Sequence, residues 1–224
     1  MKKIIVCVAL ILATMQQSKG APLVLNFGVT GGSKAQFTGG ATPTFEFTGT
    51  PNFKINSTDN GIGSADGLTG TIGGTYAIGT VTTPFAGQEV ASVSSIGIGS
   101  LTINDGGTPL TAVLEWISIY TQGAGGTVNA GSVVNLKNIM YSGSNVDLLN
   151  LRNTGMGSGI ASASFNFSPA KTLTQLTTEA NNFANFTGTF TPVPEPLFSG
   201  LLLVGGIGAL IGFRRRAQRQ PISE

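Results

Sequence analysis

Residues 97–120, GIGSLTINDGGTPLTAVLEWISIY, decide the fold that we predict for this chain. Apolar and polar residues alternate on both sides of Asn104-Asp105-Gly106-Gly107, and these four residues suit the positive φ angles of a tight turn. The second strand carries one face that we expect to point inward, formed by Leu110, Ala112, Leu114 and Trp116. The stretch therefore predicts a β-hairpin, with the indole of Trp116 in the core of the domain.

The same pattern continues through the rest of the body, residues 21–192, whose size fits one domain. Short alternating runs separated by Gly, Asn, Asp or Pro predict an all-β domain. We expect eleven strands, at 23–27, 44–47, 53–56, 70–72, 76–81, 90–94, 97–103, 110–120, 132–141, 161–167 and 186–191. Two stacked sheets would bury alternate residues of so many strands, so we predict a β-sandwich of jelly-roll type. Only 170–182 could form a short helix, with a loop as the alternative.

The C-terminal residues 193–224 form a tail of different composition. Val193-Pro194-Glu195-Pro196 must be extended, since proline excludes helical backbone at the preceding residue. An uncharged apolar run over 197–213 follows, and its length fits a transmembrane helix. Arg214, Arg215 and Arg216 come next, and clustered arginines mark the cytoplasmic side. The tail therefore predicts a single-pass membrane protein whose body lies outside the cytoplasm.

These three parts, in this order at the C-terminus, closely resemble the PEP-CTERM sorting signal of exported bacterial proteins. The resemblance covers about 32 of the 224 residues and does not extend to the body. It implies that Pro194, Glu195 and Pro196 are recognised and processed by a membrane-embedded exosortase-type enzyme. It further implies delivery to the cell surface or the medium, often alongside exopolysaccharide, and it says nothing about the activity of the body.

The N-terminal residues 1–20 predict a secretory signal peptide. Two lysines precede a short apolar stretch, and small residues then lead to a cleavage site between Gly20 and Ala21. The stretch contains Cys7, the only cysteine of the chain, so the mature protein has no disulfide. Stability must then come from packing.

The body has five basic residues against eight acidic ones, because the basic residues concentrate in the two targeting ends. A mildly acidic body does not predict a nucleic-acid partner. The chain also lacks histidine, which excludes Ser-His-Asp and Cys-His sites as usually built, and zinc or copper sites that need imidazole or thiolate. We expect no cofactor and no enzymatic activity.

Weaker alternatives remain for the body. A calcium site could use Asp59 and Asp66, although the segment 59–67 lacks the ligand pattern of a helix-loop-helix site. A carboxylate-dependent hydrolase would need Glu89 or Glu115 to face another acid across a cleft. A glycan-binding module would need exposed aromatic rings, for which the candidates are Tyr76, Trp116, Tyr120 and Tyr141. The leading hypothesis is a non-enzymatic exported protein that is displayed at the surface or in the exopolysaccharide layer, or released from it.

Overall fold

The computed structural model describes residues 21–122 and 130–193, and these form eleven strands and two short helices. The strands are β1 Val24–Val29, β2 Ala35–Thr38, β3 Thr44–Phe47, β4 Phe53–Asp59, β5 Thr69–Ile78, β6 Thr82–Phe85, β7 Gln88–Asn104, β8 Leu110–Gln122, β9 Ala130–Met140, β10 Gly159–Asn166 and β11 Asn182–Pro192. The helices are α1 Val146–Thr154 and α2 Leu173–Thr178.

Eight antiparallel strands close into a barrel. The ring runs β1-β4-β5-β7-β8-β9-β10-β11, and β11 pairs again with β1 through Leu25 opposite Phe190. The hairpin β2-β3 fills the same place at the other end of the barrel, where it joins β11 to β5. Along one edge, β5 thus pairs first with β4 and then with β3, and β11 pairs first with β2 and then with β1. Among the described strands, β6 alone takes no part in closing the barrel, because it pairs only with β7.

The predicted jelly-roll sandwich is therefore wrong, although the all-β prediction is right. Two pairs of predicted strands, 70–72 with 76–81 and 90–94 with 97–103, are the single long strands β5 and β7. Each bends at a bulge, where its register shifts against the neighbouring strand. Bulges bend and twist a strand locally. These bends, together with the pairing of the first strand with the last, give one closed sheet where two stacked sheets were expected.

The barrel interior is packed with aromatic rings. Trp116 is 4% exposed, as the hairpin pattern predicted, and its ring lies 4.9 Å from that of Phe45 and 5.0 Å from that of Tyr76. Further buried rings complete this cluster: Phe37, Phe47, Phe165, Phe167 and Phe186. Full burial of one such side chain contributes about 1.5–3 kcal/mol, so this core stabilises a body without disulfides.

Two strand glycines allow a second aromatic cluster to form where β1, β4 and β11 meet. Phe53 lies across from Gly70, and Phe27 lies across from Gly188. A Cβ on Gly70 would come within 2.2 Å of the Phe53 ring, and one on Gly188 within 2.5 Å of the Phe27 ring. Each missing side chain therefore makes room for a phenylalanine, and the Phe27 and Phe190 rings stack with centroids 4.4 Å apart.

Both helices pack against the barrel through leucines. Helix α2, inside the predicted segment 170–182, begins with a capping box in which Thr172 and Gln175 bond each other's backbone N–H. It buries Leu173 and Leu176, so the helical alternative is confirmed. Helix α1 packs against β11 and was not predicted, although Asn145 is a normal N-cap residue.

Across the described residues, no helix has the length and apolar character needed to cross a membrane. The fold prediction included one such helix, over 197–213. That segment lies outside the described residues, as do the predicted signal peptide and all of the tail beyond Val193.

Candidate functional site

The predicted processing residues lie mostly outside the described part of the chain. Gly20, the motif 194–196 and the arginines 214–216 are not described, whereas Ala21 and Val193 are. Ala21 is exposed just before β1, and the backbone N–H of Val193 donates to Ser158 O at 3.4 Å. Both boundaries of the described body thus fall outside its strands.

The four aromatic candidates for glycan stacking do not form an exposed platform. Tyr76, Trp116 and Tyr141 are buried, and only Tyr120 is partly exposed. The Tyr141 hydroxyl donates a short hydrogen bond to the Asp105 carboxylate and accepts from Asn145 N at 2.9 Å. The hydrogen bond from Tyr141, together with one from Gly107 N, lowers the pKa of Asp105. Burial of the Tyr141 hydroxyl and, to a smaller extent, its hydrogen bond to Asp105 raise the pKa of Tyr141. The pair ties the β7-β8 turn to the segment before α1.

The two calcium candidates each have separate structural partners. Asp59 accepts from Asn26 Nδ2 at 2.9 Å, and Asp66 accepts from Thr58 Oγ1 at 2.6 Å. Within the described ranges, no group of three or more His, Cys, Asp or Glu side chains comes together in a way that could hold a metal ion.

The segment 59–67 is instead anchored by Asp147, which the sequence analysis did not single out. Asp147 is fully buried, and its carboxylate accepts from Ile62 N at 2.9 Å, Ser64 Oγ at 2.9 Å and Ala65 N at 3.2 Å. Burial alone would raise the pKa of Asp147, but these hydrogen bonds outweigh it and lower the pKa. Asn145 adds a bond to Ser64 O at 2.7 Å. The acid is therefore a structural anchor between helix α1 and this loop.

The two hydrolase candidates do not face each other across a cleft. Glu89 accepts from the backbone N–H and the hydroxyl of Thr174 in α2, at 2.8 and 2.9 Å. Glu115 forms an exposed ion pair with Lys137 at 2.7 Å, and this pairing, with a bond from Asn135, lowers its pKa. Each carboxylate thus connects neighbouring elements, and the two lie far apart along adjacent strands, because Glu89 pairs in register with Thr121, six residues beyond Glu115 on β8.

The most unusual feature of the barrel wall is a gap in the ladder between β7 and β8. The paired positions jump from Ser92 opposite Ser118 to Gly99 opposite Leu114, so 93–98 on β7 face only 115–117 on β8. Gly97 has a φ of +85°, a conformation that glycine adopts without strain, and Ile98 beside it is 78% exposed. We call the resulting hollow, of about 420 Å³, the wall gap. Its lining residues are Val93, Ser94, Ser95, Gly97, Ile98, Gly99, Val113, Leu114, Glu115 and Trp116.

Polar groups of the interior meet the wall gap at Trp116 and Tyr76. The Tyr76 hydroxyl donates to Gly73 O at 2.7 Å and lies 2.8 Å from the place of a Cβ on Gly99. Burial raises the pKa of Tyr76 to about 12, an effect that the nearby Trp116 side chain partly offsets. The Trp116 indole is the group that interacts with this hydroxyl, although its Nε1 lies outside strict hydrogen-bond distance and angle of any acceptor. In the described part of the chain, it is the one buried side-chain nitrogen or oxygen without a partner.

Sequence reasoning placed Trp116 in the core but missed the wall gap beside it. The signal was present, because Gly97 and Gly99 flank an isoleucine inside a strand pattern, and isolated strand glycines often mark bulges. Comparisons with protein-family models, curated proteins and solved structures return no match for this chain. The function therefore has to be argued from the residues themselves.

Proposed function

We propose that this chain is a non-enzymatic exported protein whose barrel is displayed at the cell surface or released from it. Its route is set by the N-terminal signal peptide and by the C-terminal sorting tail, which an exosortase-type enzyme recognises. The surface or exopolysaccharide layer is the destination that the tail implies.

One structural observation carries this proposal: both processing boundaries flank the barrel without interrupting it. The first strand begins at Val24, three residues after the proposed cleavage between Gly20 and Ala21, and the last strand ends at Pro192. Cleavage before Ala21 and within 194–196 would therefore remove no strand residue. Because β1 pairs with β11, such cleavage would also leave the closing seam of the barrel intact.

The contacts of the acidic side chains support the non-enzymatic part of the proposal. Asp147, Glu89 and Glu115 each hold a neighbouring element through hydrogen bonds or an ion pair. These contacts give each of the three acids a role in holding the fold together. The glycan-binding alternative receives no comparable support, because only Tyr120 among its aromatic candidates is more than marginally exposed.

The test is the substitution Glu195→Gln in a host that has the processing enzyme. It removes the one charge of the motif 194–196 and leaves the apolar run over 197–213 unchanged. We expect the wild-type chain to be shortened and the variant to accumulate at full length in the membrane fraction. The matched control is Glu46→Gln, an exposed position on β3, which should be processed like the wild type. Equal processing of Glu195→Gln and the wild type would refute the sorting role.

A further inference from the structure

Asn60 and Gly61, in the loop after β4, form the only Asn-Gly pair of the chain. Both residues are exposed. Glycine has no Cβ, so its backbone nitrogen is the least hindered that can follow an asparagine. Within the described residues, Gly61 N donates no hydrogen bond, whereas the next N–H, that of Ile62, is held by Asp147 Oδ1 at 2.9 Å. The nitrogen of Gly61 is therefore free to attack the neighbouring side chain.

Packing explains why a glycine occupies position 61. A Cβ there would lie 2.5 Å from Asp147 Oδ1 and 2.7 Å from Leu23 Cδ1. A larger residue, which would shield the side chain of Asn60, would thus displace the anchor of the loop. The Asn60 side chain itself has one hydrogen bond, from Nδ2 to Pro22 O at 3.0 Å. The fold therefore requires a glycine beside an exposed and lightly held asparagine.

We propose that Asn60 is a modification site, at which the chain deamidates spontaneously. Gly61 N loses its proton to solvent and forms a bond to Asn60 Cγ. The bond between Cγ and the side-chain nitrogen breaks, and that nitrogen leaves as ammonia, so that a succinimide ring remains. Water then opens the ring at either carbonyl and leaves aspartate or isoaspartate at position 60. The reaction is independent of the proposed export and sorting of the chain.

The reaction changes the contacts of the loop. A carboxylate replaces the amide of Asn60 and cannot donate to Pro22 O, so the start of the barrel loses one of its ties. A new negative charge also appears in a loop that already contains Asp59 and Asp66. Opening of the ring to isoaspartate further lengthens the backbone between β4 and the segment that Asp147 anchors.

The experiment incubates the full-length chain in mildly alkaline buffer made with H₂¹⁸O, followed by digestion in ordinary water and mass spectrometry of the separated peptides. Each event replaces the side-chain NH₂ by a hydroxyl that carries ¹⁸O. The internal control is Asn181, which is exposed and has the same φ of 58° but precedes Asn182, whose Cβ hinders attack. We expect Asn60 to react at least about tenfold faster than Asn181 and to give two products of equal mass.

The variant Asn60→Gln isolates the ring-closing step. Glutamine keeps the amide, but its longer side chain has to close a six-membered ring, so position 60 should remain unlabelled in the time that converts the wild type. The proposal is overturned if Asn60 takes up ¹⁸O no faster than Asn181, or if Asn60→Gln is labelled as fast as the wild type. Labelling that gives aspartate without isoaspartate would equally overturn it, because direct hydrolysis by water forms no succinimide.

Discussion

Replacing Asp147 with asparagine tests the anchor between helix α1 and the segment 59–67. The side chain keeps its shape but loses its charge, and one oxygen becomes an NH₂ group that cannot accept. One carboxylate oxygen accepts from Ile62 N, and the other accepts from both Ser64 Oγ and Ala65 N. In either orientation of the amide, one backbone N–H therefore loses its acceptor, either the part-buried one of Ile62 or the buried one of Ala65.

The expected loss of stability follows from these contacts. An unsatisfied buried donor costs about 1–3 kcal/mol, and the remaining hydrogen bonds weaken when their acceptor is no longer charged. We therefore expect Asp147→Asn to lower the free energy of unfolding by about 1–3 kcal/mol. The control is Asp66→Asn, an exposed acid of the same loop with one side-chain bond, from Thr58 Oγ1, which should cost less than about 1 kcal/mol.

The same substitution has a pH signature. The pKa of Asp147 in the folded chain lies below its ordinary value of 3.8, so its stabilising contribution is complete above that value and is lost as the pH falls through the lower folded pKa. Urea unfolding, followed by the fluorescence of Trp116, should give a constant difference between wild type and variant near neutral pH. That difference should shrink below about pH 4. A variant as stable as the wild type at pH 7 would refute the anchoring role.

Three further predictions concern the barrel. Gly188→Ala would bring a Cβ within 2.0 Å of Ser162 O and should destabilise the chain by about 2 kcal/mol or more, measured by urea unfolding. The control is Gly107→Ala, whose Cβ would lie 3.6 Å from the nearest atom, Asp105 Oδ1, and which should unfold at a nearly unchanged urea concentration. Tyr76, whose pKa is raised to about 12, stabilises the fold fully below its unfolded pKa near 10, so stability should fall as the pH rises from 10 to 12. Tyr76→Phe should lose less stability over this range, because only the raised pKa of Tyr141 then contributes to the loss, and a loss as large as that of the wild type would rule out the assignment. Glu115→Gln breaks an exposed ion pair and should leave the urea concentration at the unfolding midpoint nearly unchanged; a clear decrease would mean that the pair stabilises the barrel wall.

Local parts of the fold could be read from the sequence because local chemistry determines them. The turn at Asp105-Gly106 and the alternation along β8 predicted the hairpin and the inward face of Trp116, and both are confirmed. Strand β3 matches its predicted bounds of 44–47. Helix α1 was missed, since a single buried acid and two leucines do not give a helical period that stands out in so short a segment.

Closure of the sheet could not be predicted in the same way. It depends on the pairing of β1 with β11, about 160 residues apart in the chain, and no local pattern reports such a contact. Glycine and serine interrupt the alternation within β5 and β7, so the sequence pattern predicts two short strands in place of each long one. The wall gap lies at the register shift between β7 and β8, so it could not be predicted without the closed barrel.

The most direct test of the central proposal is an intact mass of the protein isolated from its native cell surface or medium. We expect a chain that begins at Ala21 and ends within 194–196, with or without an added anchor, so that the barrel alone is the mature unit. A mass that still includes the residues from Leu197 to Glu224 would contradict processing by a sorting enzyme. In that case the chain keeps its tail, and the search for its role would move to partners in the membrane.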